Sequence, residues 1–142
     1  MFKKILLAYD GSEGSKLAFE KTAEIAKLTS AEFHILAVGR IPEYAETVSE
    51  VDEAKEQARN FYSKIMDEAI RNLSQRGITG ISHTEFGKPG DVILRIAEDI
   101  KADLVVLGTN LHSALRRRFL GATVDKVVDR AHCSVLVIRS DS

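Results

Sequence analysis

Two spacings of apolar residues alternate along this chain. Ile5-Leu-Leu-Ala-Tyr9 is a continuous apolar run, the signature of a short strand covered on both faces. Asp10-Gly-Ser12 ends it with a turn and helix-start signal. Ala18, Phe19, Thr22, Ala23, Ile25 and Ala26 then recur at helical spacing. Glu32 to Val38 reads as a second strand closed by Gly39. The longest helix is predicted from about Ser49 to Arg76, on a stripe of Val51, Ala54, Ala58, Phe61, Ile65 and Met66, with Tyr62, Ala69 and Leu73 beside it. A weaker strand, Ile81 to Phe86, leads through Gly87-Lys-Pro89-Gly90 into a helix that buries Val92, Ile93, Ile96, Ala97 and Ile100. Pro89 suits its first turn. Leu104 to Leu107 forms the fourth strand and Val135 to Ile138 the fifth. Between them runs a helix with an apolar stripe of Leu120, Val124, Val127, Val128 and Ala131.

Five strands alternating with four helices, strands 1, 4 and 5 almost wholly apolar, predict an α/β fold: a doubly wound, Rossmann-like parallel sheet. The 142 residues suit a single domain over the whole chain. A 44% apolar, 29% charged composition with a net charge of −1 excludes a disordered chain and gives no electrostatic footprint for nucleic acid or an anionic membrane. The N-terminal apolar run is too short for a signal peptide or membrane span, so the expected location is cytoplasmic. The lone Cys133 excludes an intrachain disulfide and reads as a small core residue. His34, His83, His112 and His132 fall on separate elements without metal-ligand spacing, and His34, inside a strand, reads as structural. No Ser/His/Asp or paired-carboxylate arrangement emerges.

Parallel α/β sheets bind ligands beyond the carboxyl ends of their strands, where strand order reverses. That points to Asp10 with Gly11 and Ser12, to Val38 with Gly39, and to Gly108 with Thr109 and Asn110. Asp10 has two roles open to it, contact with a ribose or Mg²⁺, or organisation of the turn before the first helix. Ser12 reads as an N-cap, and Lys88 as an exposed loop lysine.

The combination Ile5-Leu-Leu-Ala-Tyr-Asp10-Gly-Ser12, Gly87-Lys-Pro89 with Ile93, Asp103-Leu-Val-Val-Leu-Gly108, Gly121-Ala-Thr-Val124 and His132-Cys-Ser-Val-Leu-Val-Ile138 resembles the universal stress proteins, in register over the whole chain. The resemblance implies strand order 3-2-1-4-5 and a homodimer formed through the last strand. Some members bind ATP through a G-x2-G-x9-G-[S/T] loop, and others lack the loop and bind no nucleotide. In the binding members, positions matching Asp10 and the Val38 backbone hold the nucleoside. The candidate contacts are therefore Ala8, Asp10, Val38, Gly108, Thr109, Leu111, Gly121, Ala122 and Thr123, with ATP, accompanied by Mg²⁺, as the cofactor.

Gly108 and Gly121 occupy the first and third glycine positions of that loop, but Leu111 stands at the second and Ala122 at the hydroxyl position. A leucine resists positive φ and close approach of backbone to phosphate. The missing hydroxyl removes a charge-assisted bond of about 1.5–3 kcal/mol, roughly ten- to a hundredfold in affinity. Thr123, one residue on, would point about 100° away on a helix. Arg116, Arg117 and Arg118, near His112 and Ser113, offer either a phosphate clamp or a solvated basic surface.

Two functions compete. One is a stress-response regulatory domain that binds ATP at the carboxyl end of the sheet through a degenerate loop. The other is a homodimeric interaction module of the same fold without nucleotide. An enzyme, at most a slow ATPase or phosphotransferase, ranks below both, because no Walker-type lysine is present. A response-regulator receiver would need adjacent acidic residues after strand 1, where Asp10 is followed by Gly11.

Overall fold

The structure, a computed structural model, describes residues 1–110 and 121–140. Within them β1 (Lys4–Ala8), β2 (Glu32–Gly39), β3 (Gly80–Phe86), β4 (Leu104–Asn110) and β5 (Ser134–Ser140) form one sheet. Its order is β3-β2-β1-β4-β5 and all neighbours are parallel. The connections are α1 (Glu13–Thr29), α2 (Val48–Gln75), α3 (Pro89–Ile100) and α4 (Ala122–Arg130). The doubly wound α/β architecture and the strand order are as expected from the sequence.

Alternate residues of the strands feed two cores. Ile5, Leu7, Phe33, Ile35 and Val106 pack under Ala18, Phe19 and Ala23 of α1 and Met66, Ala69 and Leu73 of α2. Leu6, Leu36, Val105 and Leu107 face Val92, Ile93 and Ile96 of α3 and Val124 and Val127 of α4. Each fully buried side chain of this kind contributes on the order of 1.5–3 kcal/mol. Ser12 caps α1, accepting from the Ser15 amide at 3.3 Å, and Pro89 opens α3, both as predicted.

Four expectations need correction. β4 does not stop at Leu107: Gly108, Thr109 and Asn110 stay in register with Ile138, Arg139 and Ser140 of β5. Backbone pairing with β5 carries the strand past the point where its apolar run ends. The long stripe on α2 is deeply buried only at Met66, Ala69 and Leu73, while Phe61 is 63% exposed. The reason is length: 28 residues make a helix of about 42 Å, whereas β2 and β3, with eight and seven residues, span roughly 23–26 Å. Ala58 stands against Gly39, the last residue of β2, so the helix N-terminal to it overhangs the sheet. Val128 is likewise 51% exposed, on the outer face of α4. β5 is less covered than its apolar sequence suggests, since Val135 to Ile138 are all only partly buried at the sheet's edge.

A Cβ placed on Gly108 would collide with the carbonyl group of Gly14 in α1 and lie 3.2 Å from the Ala18 Cβ. Gly108 is therefore needed for helix–sheet packing whatever binds there. Gly108→Ala should cost about 1–3 kcal/mol of stability by overpacking, read as a lower urea midpoint. An unchanged midpoint would show that α1 retreats freely.

Candidate functional site

Strand order reverses between β1 and β4, and there the carboxyl ends of β1, β2 and β4 border a cleft of about 490 Å³. That volume falls within the range of small-molecule sites. Ala8, Asp10, Val38, Gly108 and Thr123 line it together. Leu36, Val38, Pro89 and Ile93 supply an apolar wall, contributed by β2 and the first two turns of α3. Tyr62 reaches the cleft from α2, and Arg40 from the residue after β2.

Asp10 is exposed yet tightly organised. Its Oδ1 accepts from the Ser12 backbone N–H at 2.9 Å and from the Ser15 hydroxyl at 3.0 Å. Gly11, at φ +83°, makes the sharp turn between them. Burial pushes the Asp10 carboxyl up, but the Ser12 and Ser15 hydrogen bonds outweigh it and hold the carboxyl below its ordinary range. Asp10 thus shapes the turn that starts α1, while its second oxygen, Oδ2, accepts none of these bonds.

Carboxylates act on the two tyrosines at this corner. Burial raises the Tyr9 phenol, and the carboxylates of Glu68, Asp10 and Glu20 raise it further. Burial and then Asp10 do the same to Tyr62. Among the described residues Arg40 is the only cation lining the cleft.

Gly121 is the N-cap of α4, at φ +93° and with no side-chain cap hydrogen bond. The amides of the first turn therefore have no side-chain partner from their own cap. Gly121 and Ala122 are exposed and do not line the cleft, whereas Thr123 does. Thr109 sits on β4 opposite Arg139 and is also absent from the lining. Leu111 and the Arg116-Arg117-Arg118 run lie outside the described residues. Lys88 is the exposed N-cap of α3. Cys133 is partly buried against the α3–α4 core, and burial followed by Asp103 raises its thiol.

Sequence spacing alone did not bring Tyr62, Pro89 or Arg40 into this site. Tyr62 carried a usable signal, since it falls beside the main stripe of α2 at the height where the helix passes the strand ends. Arg40 follows directly on Gly39 at the end of β2. Among the described residues no cluster of His, Cys, Asp and Glu could hold a metal ion, and no helix is long and apolar enough to cross a membrane.

Comparison with known proteins places this geometry. The model of the universal stress protein family matches residues 1–139. The universal stress protein YxiE of Bacillus subtilis is 31% identical over 153 residues, covering 98% of this chain and all of the relative. Among solved structures, the universal stress protein UspA from Lactobacillus plantarum superposes with a TM-score of 0.81 at 24% identity, over 96% of this chain and 97% of its own. A universal stress protein in complex with cAMP superposes with a TM-score of 0.72 at 25% identity, over 99% of both chains. A match over nearly the whole length, on the same five-stranded order, leaves one assignment: the chain belongs to the universal stress protein family.

Proposed function

We propose that this chain is a single regulatory domain over residues 1–142 that binds an adenine nucleotide, ATP with Mg²⁺, in the cleft beyond β1, β2 and β4. The observation that carries the reading is the convergence of Ala8, Asp10, Val38, Gly108 and Thr123 on one cleft of nucleotide size. The relative solved with cAMP supports a nucleotide as the ligand class. The Leu36, Val38, Pro89 and Ile93 wall suits a flat base. Asp10 Oδ2 is an acceptor for a ribose hydroxyl, and the uncapped amides opening α4 suit a phosphate. Thr123 takes over the hydroxyl role that Ala122 cannot perform. The nucleotide acts as a bound effector rather than a turned-over substrate, and the domain works in the cytoplasm.

A second reading is a homodimeric interaction module without nucleotide. It is favoured by Gly108, which packing against Gly14 requires in any case, and by the partly exposed apolar strand β5 at the sheet edge. Pairing of two copies through β5 is compatible with both readings. Sedimentation at micromolar concentration should give a dimer, and a Val137→Lys substitution should shift it toward monomer.

Calorimetric titration with ATP, with and without Mg²⁺, tests the nucleotide reading. Micromolar binding is expected, weakened about tenfold in Thr123→Ala by loss of one hydrogen bond to a charged oxygen. Leu111→Gly combined with Ala122→Ser should tighten it. No heat and no melting shift at millimolar ATP would leave the interaction module standing.

Asp10→Ala should also weaken ATP binding, and it has a signature apart from the ligand. Because the folded carboxyl titrates below its unfolded value of about 3.9, its contribution to stability is present above that value and lost as pH falls through the folded one. The wild type should therefore lose more stability between neutral and acid pH than Asp10→Ala does. Parallel acid curves would remove the turn-organising role.

A further inference from the structure

His34 and His83, 49 residues apart in sequence, meet across the β2–β3 ladder. His34 Nδ1 lies 2.9 Å from His83 Nε2, and His34 Nε2 lies 3.1 Å from Glu32 Oε1. The rings stack with centroids 5.2 Å apart and planes 13° apart. His34 is only 5% exposed. β3 is the edge strand and none of its residues is fully buried. The histidine contact is the one side-chain hydrogen bond joining β3 to β2 among the described residues.

The chemistry of the three groups limits how many protons they can hold. A carboxylate only accepts, so the bond to Glu32 requires a proton on His34 Nε2. With both rings neutral, His34 Nδ1 then accepts from His83 Nε2–H. One further proton fits without breaking anything, because it goes to the outer nitrogen, His83 Nδ1. A second places N–H groups on both His34 Nδ1 and His83 Nε2, facing each other at hydrogen-bond distance, and the contact must open.

We propose that the His34–His83 pair, braced by Glu32, is an acid-sensitive latch that holds β3 on β2 with up to one added proton and releases this edge strand when a second enters. The inference is independent of the nucleotide reading.

The charged surroundings are modest. Glu32 on β2 contacts His34, and Lys4 of β1 stands in register with Glu32. Glu85, two residues beyond His83 on β3, is held at 3.0 Å by Arg95 of α3. Asp99 follows Arg95 by one turn on the same helix face. Burial, and then the His34 charge, lower the affinity of His83 for a proton, while Glu85 acts the other way. An unfolded histidine takes its proton near pH 6.5. Folded His83 therefore binds its proton less readily than in the unfolded chain, and its contribution to stability, present above about 6.5, is lost on acidification. β3 ends at Phe86, whose ring packs on Gly39 at the end of β2, so release would be felt at the end of β2 beside the cleft.

Two measurements on the full chain test this. Ring-nitrogen NMR between pH 4.5 and 8, with signals assigned through His34→Gln and His83→Gln, should show the pair titrating in two separated steps. Two independent single steps at the ordinary value would overturn the latch. Amide exchange at Ile81 and Glu85, whose N–H groups face β2, corrected for intrinsic rate, should report an opening equilibrium that rises as pH falls from about 6.5, by about tenfold per pH unit between the two steps. That slope should vanish in His83→Gln, whose amide can still donate to His34 Nδ1. A flat wild-type profile, or the same slope in His83→Gln, would also overturn it. Should that variant fail to fold, the wild-type titration decides alone.

Discussion

α1 can lie directly on the end of β4 because Gly108 and Gly14 face each other there with no side chain between them. That close approach sets the height of the first turn of α1, and with it the positions of Ser12 and Ser15 around the Asp10 carboxylate. Any residue larger than glycine at position 108 would push the helix outward and open the turn. The corner where β1 hands over to α1 and the corner where β4 leaves the sheet are thus one mechanical unit. Much of what makes the cleft a cleft follows from this helix–strand contact.

The electrostatics of the cleft divide along its length. Asp10, Glu20 and Glu68 crowd the β1–α1 corner and raise the phenol of Tyr9. The α4 end offers backbone amides and the Thr123 hydroxyl, and Arg40 stands at the opposite end beside β2. A ligand that suits such a field carries its hydroxyls in the middle and its negative charge toward α4. Such a field gives the cleft a direction.

How far this could be read from sequence depended on whether a feature was local. The strands were legible because covered strands are apolar runs, and the helix starts because Ser12 and Pro89 are local signals. The end of β4 was not, since Gly108, Thr109 and Asn110 look like a loop and only their ladder with β5 holds them extended. The same holds for the histidines. Nothing in the separation of positions 34 and 83 announces a contact, because it depends on the register that sets Leu36 opposite His83. The site residues were half legible. Rules about strand ends indicated Asp10 and Gly108, whereas Tyr62 required knowing that α2 outruns the strands it covers.

That overrun makes α2 a lever. Its anchors in the core begin at Met66, and its first residue, Val48, lies 18 positions away, about 27 Å along the axis. Tyr62 sits close to the fulcrum and touches the cleft, while Lys55 and Arg59 rest over the Phe86 ring farther out. A rotation of about 5° at the anchors carries the Val48 end through roughly 2.4 Å by the same helix geometry. A displacement too small to disturb the packed core near Tyr62 would thus become a surface change large enough for another macromolecule to feel.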